Sequence, residues 1–309
     1  MNLGQVRLAL RLHRFELFAF GVTLVGLTVA AIVVSAELTR LRPDPACLAF
    51  DGSAQSAACE RALEAFYQVQ GYGAPILTAL LFVSLAIGIF LGVPIVAREL
   101  ERGTARLAWS IGPSRSRWFL ANVLPVLAIV VILTYLAGIG IDRYFAATTP
   151  NEDMANSFTG FGLRGGLVAS RGVFIFAIAV AVGAIIGRSL PAVIIAALIV
   201  TIGLVGGERV NQRILESEAV VVPIEQDTAG ALYVGQRFKL PDGTLAGWEY
   251  FGDSGGYDEN GEPLYPMVNL IVPGTQYHLA EAREALALAA GTLVALLIAG
   301  VAVTRRRPG

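Results

Sequence analysis

The sequence of 309 residues contains few of the side chains that catalytic and cofactor-binding sites require. It has two cysteines, two histidines and a single lysine, Lys239. Two cysteines and two histidines are too few for a metal cluster and argue against a thiol enzyme. No Gly-Lys-Ser or Gly-Lys-Thr run surrounds Lys239, so the phosphate-binding loop that holds ATP in many enzymes is missing. The sequence therefore predicts no metal, no cofactor and no catalytic residue on this chain.

Charged residues are also scarce, at 15% of the chain against roughly 25% in an average soluble protein. The net charge of −1 excludes a strongly basic protein, and with it a nucleic-acid partner. Hydrophobic residues make up 55% of the chain, and the mean hydropathy is +0.64. Such a composition exceeds what a soluble domain of this size needs and indicates a lipid bilayer as the surroundings.

A helix that crosses the hydrocarbon layer needs roughly 20 apolar residues. Five windows without a charged residue meet or nearly meet this length: 17–36, 74–97, 118–141, 189–207 and 285–304. A sixth window, 172–187, is shorter and becomes long enough if it begins near Arg164, with Arg171 reaching toward the surface. We therefore predict an all-α polytopic membrane protein with six transmembrane helices.

Arginine is concentrated in four of the segments that flank these windows: 1–16, 97–117, position 188 and 305–309. Together these segments carry a net charge of +9, and the rest of the chain carries −10. Basic loops remain on the cytoplasmic side of a membrane. Both termini are therefore predicted to be cytoplasmic.

The chain divides accordingly into predicted regions. They are a cytoplasmic amphipathic helix (1–16), spans one to five with a cytoplasmic loop at 97–117 (17–206), an extracellular cap (207–284), and the sixth span with a basic tail (285–309). Within the cap, the strand-like run 219–224 and the turn pairs Asp242-Gly243 and Asn260-Gly261 predict some β structure.

Both cysteines, Cys47 and Cys59, fall in the predicted first extracellular loop, 37–73, where a short helix is also expected at 53–69. An oxidising compartment favours a disulfide between them. Closing a loop of about 13 residues would stabilise the fold by roughly 3 kcal/mol. The alternative is that both are free, small apolar residues.

Three of the windows contain glycine pairs with three residues between them: Gly88/Gly92, Gly183/Gly187 and Gly203/Gly207. Such pairs let helix backbones approach closely. We expect them to pack within the chain, with a contact between subunits as the alternative.

The string Gly-Asp-Ser-Gly-Gly at 252–256 is similar to the nucleophile segment of trypsin-like serine proteases. A serine nucleophile needs a histidine within hydrogen-bond reach. His13 is predicted to lie across the membrane, and His278 follows Ser254 in the wrong order for that family. We therefore interpret the string as a glycine-rich turn.

The loop 97–117 has its own local pattern. Gly103 is expected to end the second span, and Thr104 to cap a short helix at 105–111. Gly112-Pro113 would end that helix, and Ser114 would cap the third span. The result is an elbow of helix, short helix and helix, which a soluble partner could push.

At this elbow the chain resembles permease subunits of type-two ABC transporters, and more closely an actinobacterial exporter subfamily. The likeness lies in Glu99 and Glu101, the Gly103-Thr104 pair, Leu107, and the runs 115–118, 188–192 and 273–278. The resemblance implies a bacterial plasma membrane protein that couples to a separate ATPase. It implies the following ATPase-coupling residues: Glu99, Glu101, Arg102, Gly103, Thr104 and Leu107.

The resemblance also implies a complex. A second permease subunit, identical or different, completes the pathway, and two cytoplasmic ABC ATPase subunits bind ATP and Mg²⁺. The competing hypothesis is a non-catalytic membrane receptor, immunity or assembly protein that acts through its extracellular cap. The transported substrate is not encoded in any recognisable motif.

Overall fold

The computed structural model describes residues 3–48, 56–111, 114–224, 226, 228–254 and 263–306. The α-helices in these residues are α1 (Leu3–Leu12), α2 (Arg14–Arg40), α3 (Pro45–Leu48), α4 (Ala57–Glu101), α5 (Thr104–Ile111), α6 (Arg115–Thr148), α7 (Gly165–Ile186), α8 (Ser189–Ser217) and α9 (Tyr277–Arg305). The strands are β1 (Val220–Pro223), β2 (Leu232–Lys239), β3 (Leu245–Ala246) and β4 (Met267–Val272).

Six of these helices are long and apolar enough to cross a membrane, namely α2, α4, α6, α7, α8 and α9. The predicted six spans and the small β region are therefore confirmed. The chain separates into two compact units. The helical unit comprises Met1–Pro150, Gly162–Val205 and Arg283–Gly309, and the sheet unit comprises Asn151–Phe161 and Gly206–Ala282.

Helices α4 and α7 form the tightest contact of the helical unit, and glycine makes it possible. A Cβ atom on Gly92 would lie 2.7 Å from the backbone oxygen of Phe176, and one on Gly88 would lie 2.9 Å from its backbone nitrogen. A Cβ atom on Gly183 would lie 2.9 Å from the carbonyl oxygen of Val93. The pair Gly88/Gly92 thus packs within the chain, as predicted.

The pair Gly183/Gly187 also packs within the chain, against Val93 and Arg306, whereas the third pair does not. Gly187 is the C-cap of α7 and has a φ of 69°, in the left-handed region that favours glycine. Around Gly203 and Gly207 a Cβ atom would meet nothing within 4 Å. The prediction of packing within the chain is therefore wrong for the third pair, because that face of α8 has no neighbour among the described residues.

Helix α4 is much longer than its apolar window. It begins where the Ser56 hydroxyl accepts a hydrogen bond from the backbone N–H of Cys59, and it continues for 45 residues with Pro75 and Pro94 inside it. The short helix predicted at 53–69 is helical from residue 57 in its described part, but it is continuous with α4 and therefore not short. Polar residues extend a helix into water as readily as apolar ones, and an apolar window does not detect them.

A disulfide joins Cys47 of α3 to Cys59 in the first turn of α4, with a Cα–Cα distance of 5.3 Å. The predicted pairing of the two cysteines agrees with this geometry. The bond fastens the chain that follows α2 to the beginning of α4.

Two arginines near the start of α7 form ion pairs. Arg171 contacts Glu284 of α9 at 2.6 Å, and both side chains are almost covered. Arg164 lies 3.6 Å from Asp142. Arg171 thus has a countercharge in Glu284, the residue that directly precedes the last apolar window.

The sheet unit contains one antiparallel sheet with strand order β1-β4-β2-β3. The predicted turn at Asp242-Gly243 joins β2 to β3, where the Leu240 N–H donates to the Thr244 carbonyl at 2.9 Å. The other predicted turn, Asn260-Gly261, lies outside the described residues. A small core holds this unit together, and its buried members are Phe158, Leu215, Val272, Tyr277 and Ala280.

We predict that Gly92→Leu destabilises the helical unit by about 1–3 kcal/mol, because the larger side chain forces α4 and α7 apart. Gly26→Leu in α2 is the matched control, since a Cβ atom there meets nothing within 4 Å. Both variants gain the same helix propensity. The measurement is thermal unfolding of the purified protein in detergent, and equal midpoints for the two variants would contradict the packing.

We predict that the unreduced protein reacts with no maleimide and that the reduced, unfolded protein reacts with two. The reason is that both cysteines of the chain are held in the disulfide. The Cys47→Ser, Cys59→Ser double variant should lose about 3 kcal/mol of stability. Labelling of the unreduced protein would mean that the cysteines are free thiols.

Candidate functional site

One end of the helical unit collects the termini of six long helices and many of the arginines; we call it the basic end. Arg98, late in α4, pairs with Glu16 at the start of α2 at 2.8 Å. Glu101 at the end of α4 contacts Ser189 at the start of α8, and Arg115 at the start of α6 contacts the end of α9. The elbow, residues 97–117, therefore lies at this end.

The elbow begins with a well-defined helix end. The Arg102 N–H donates to the Arg98 carbonyl at 3.0 Å, and the Gly103 N–H donates to the Leu100 carbonyl at 3.2 Å. Gly103 has a φ of 75°, the left-handed conformation that ends many helices. The predicted break at Gly103 is thus present, and it turns the chain into α5.

Thr104 has a different role from the predicted one. It is the first residue of α5, and its hydroxyl donates to the carboxylate of Glu99 and lies 3.2 Å from the Glu99 carbonyl oxygen. Thr104 therefore ties α5 back to α4 and does not cap α5. A carboxylate is the stronger acceptor, since charge-assisted hydrogen bonds exceed neutral ones in strength.

The cap predicted for α6 is also wrong. Ser114 stands at the N-cap position but makes no side-chain cap hydrogen bond. Its hydroxyl oxygen lies 3.3 Å from that of Ser116. The Ser116 hydroxyl thus competes with the backbone N–H groups of α6 for a hydrogen bond to Ser114. The predicted helix end at Gly112-Pro113 lies outside the described residues.

Helix α5 has one attached face and one open face. Trp109 packs edge-to-face on Trp118, with ring centroids 5.7 Å apart, and the Arg115 guanidinium lies 4.8 Å above the Trp109 ring. On the open face, Leu107 is 62% exposed. Beside the helix, Arg102 is exposed as well.

Glu101 connects the elbow to α8. Its Oε2 accepts a hydrogen bond from the Ser189 N–H at 3.0 Å and another from the Ser189 hydroxyl at 2.8 Å. The first N–H groups of a helix have no partner within the helix, and a carboxylate there also complements the helix dipole. Glu101 thus acts as an external cap of α8, a partnership that links residues 88 positions apart.

The six residues predicted for coupling therefore separate into two sets. Glu99, Glu101 and Thr104 are held by contacts within the chain, and Gly103 supplies the turn. Arg102 and Leu107 are exposed. The sequence did not single out Ser189 as a partner of the elbow, although its place at the start of an apolar window was an available signal for a helix N-terminus.

His13, between α1 and α2, is a further titratable group at the basic end. It is 4% exposed. Burial lowers the pKa of its imidazole below the ordinary value, Arg98 lowers it further, and the carboxylates of Glu16 and Glu99 offset only part of the effect. Helix α1 packs against α6, and this attached arrangement, in which the imidazole is buried, favours the neutral form of His13.

A family model described as ABC-2 membrane transporter related matches residues 16–209. The match covers more than half of the chain, from the start of α2 into α8, and includes the whole elbow. No curated protein and no solved structure matches the chain.

The fold and the matched region define a multi-pass membrane protein of permease type. The chain belongs to the ABC-2 membrane transporter related family. Membership implies components of an ABC transporter as partners, and permeases of this type are typically not enzymes.

We predict that acidification releases α1. Because the pKa of His13 is lowered in the attached state, the detached state binds the proton more readily, and attachment weakens as the pH falls through the ordinary value of 6.5. Hydrogen exchange of residues 3–13, corrected for its intrinsic pH dependence, should become a few-fold faster at about pH 5.5 than at about pH 7.5. His13→Gln should abolish this difference, and an unchanged difference in that variant would exclude His13 as its cause.

Proposed function

We propose that the chain is the membrane-spanning permease subunit of an ATP-driven exporter and that the elbow receives the force of ATP binding. The observation that carries this proposal is the geometry of α5. It is a short helix, bounded by the turn at Gly103, that exposes an apolar side chain and is fastened to α4 and α6. A soluble partner that moves α5 would move two spans together.

Charge supports the proposed orientation. The segments whose net charge is +9 have described residues at the basic end, and basic segments remain cytoplasmic. In this orientation the elbow and both termini are in the cytoplasm of a bacterium, where ATP is available. The disulfide and the sheet unit, which corresponds to the predicted cap, are then extracellular, and an oxidising compartment suits the disulfide.

The two sets of elbow residues have different proposed roles. Leu107 and Arg102 contact the ATPase, because arginine is enriched at protein interfaces and an exposed apolar side chain gains free energy when a partner covers it. Glu99, Glu101, Gly103 and Thr104 keep the elbow in the shape that transmits the motion. The complete transporter would contain a second permease subunit and two ATPase subunits, which hold ATP and Mg²⁺.

The first test is co-purification. Leu107→Glu should reduce the amount of ATPase that co-purifies with the permease at least about ten-fold, because burying an unpaired charge in an interface costs more than 1.4 kcal/mol. Leu163→Glu is the matched control, since Leu163 is an exposed leucine of the same unit outside the elbow. Size-exclusion profiles of both variants should match the wild type.

Glu101→Arg separates binding from transmission. It should leave the ATPase bound and lower the ATPase activity that depends on the permease, because the link to Ser189 is lost. A wild-type chain that is functional without any ATPase would refute the proposal. Function that depends on the sheet unit and not on the elbow would favour a receptor, immunity or assembly protein.

A further inference from the structure

The end of α9 is connected to two other helices at the basic end. Arg306 directs its guanidinium to the end of α7, where it donates to the Ile185 carbonyl at 2.9 Å. The last carbonyls of a helix have no partner within the helix, and a cation is favourable there. Arg306 thus serves as an external C-cap of α7.

Arg115 caps the C-terminal end of α9 in the same way. Its guanidinium donates to the Thr304 carbonyl at 3.0 Å and to the carbonyl of Arg306. Both acceptors lie at the end of α9. Arg115 also lies over the ring of Trp109 in α5, so one side chain touches the short helix of the elbow and the end of the last span.

The end of α7 is shaped to receive Arg306. Gly187 follows Ile185 closely and takes a left-handed conformation, with a φ of 69°. A Cβ atom on Gly187 would lie 2.4 Å from a guanidinium nitrogen of Arg306. A side chain at position 187 would therefore strain the backbone and also displace the arginine.

These contacts form a continuous series. It runs from Trp109 in α5 to Arg115, from Arg115 to the end of α9, and from Arg306 to the end of α7. The turn at 187–188 then leads directly into α8, which Glu101 caps. The series thus connects α5 with α9, α7 and α8. None of the bonds described joins α5 directly to these three spans.

We propose that Arg115 and Arg306 are positioning residues that carry a displacement of α5 to α9 and to the turn between α7 and α8. This inference rests on the proposed function, since the displacement comes from the ATPase. It assigns to the basic tail a mechanical role beyond that of fixing the orientation of the chain, for which any positive charge would suffice.

The chain provides a control for this distinction. Arg305 precedes Arg306 and carries the same charge, but its side chain forms no hydrogen bond or ion pair with any residue that the structure describes. Arg305→Gln and Arg306→Gln each remove one positive charge from the same tail. Only the second removes the bond to α7.

The experiment measures hydrogen exchange in the full complex with its co-purified ATPase, with and without Mg-ATP and vanadate. In the wild type, nucleotide should change the exchange of α5, of 300–306 and of the turn 183–189. In Arg306→Gln the change at α5 should persist and the change at 183–189 should become smaller, because the bond of Glu101 to Ser189 remains. Arg305→Gln should behave as the wild type does.

Two further readouts complete the test. Without nucleotide, exchange at 183–189 in Arg306→Gln should be about five-fold faster, the factor expected for one hydrogen bond of ordinary strength. Arg115→Gln should retain the response at α5, lose it at 300–306 and weaken it at 183–189. If exchange at 183–189 responds to nucleotide fully in Arg306→Gln, the proposed role of Arg306 is wrong and the proposed function is unaffected. If nucleotide does not change the exchange of α5 in the wild-type complex, the proposed function is wrong as well.

Discussion

The close approach of α4 and α7 determines where the rest of the helical unit lies. Lipid tails are as apolar as leucine, so helices in a membrane gain little from apolar burial and depend on close van der Waals contact. Glycines at 88, 92 and 183 allow that contact. Because Gly183 sits against the backbone of Val93, the end of α7 is held beside the last turns of α4. The bond between Glu101 and Ser189 is possible only because of this placement.

The bundle is easier to predict from sequence than the contacts within it. The number of spans follows from a length that the bilayer imposes, and the break at Gly103 follows from the conformation of one residue. Helix ends do not follow from apolar windows, because α4 extends well beyond its window in polar residues. Local capping rules also fail at Thr104 and Ser114, where a neighbouring carboxylate and a neighbouring hydroxyl compete for the side chain.

The contacts that organise the basic end join residues that are far apart in sequence. Glu101 and Ser189 are 88 positions apart, and Arg115 and Thr304 are 189 positions apart. Each pairs a charged side chain with the unsatisfied backbone groups at the end of another helix. In the sequence these side chains are indistinguishable from the charges that flank any span, since nothing local tells which helix end each will meet.

The unbroken course of α4 has a mechanical consequence. Its two prolines are 19 positions apart, which corresponds to about 28 Å along a helix, close to the roughly 30 Å of a hydrocarbon layer. Each proline removes one backbone hydrogen bond and weakens the helix locally. The two points of weaker hydrogen bonding are therefore about as far apart as the two faces of a hydrocarbon layer, and the segment between them contains no proline. Packing of Val93 against α7 restrains the second of these points, so bending of α4 is easier near Pro75 than near Pro94.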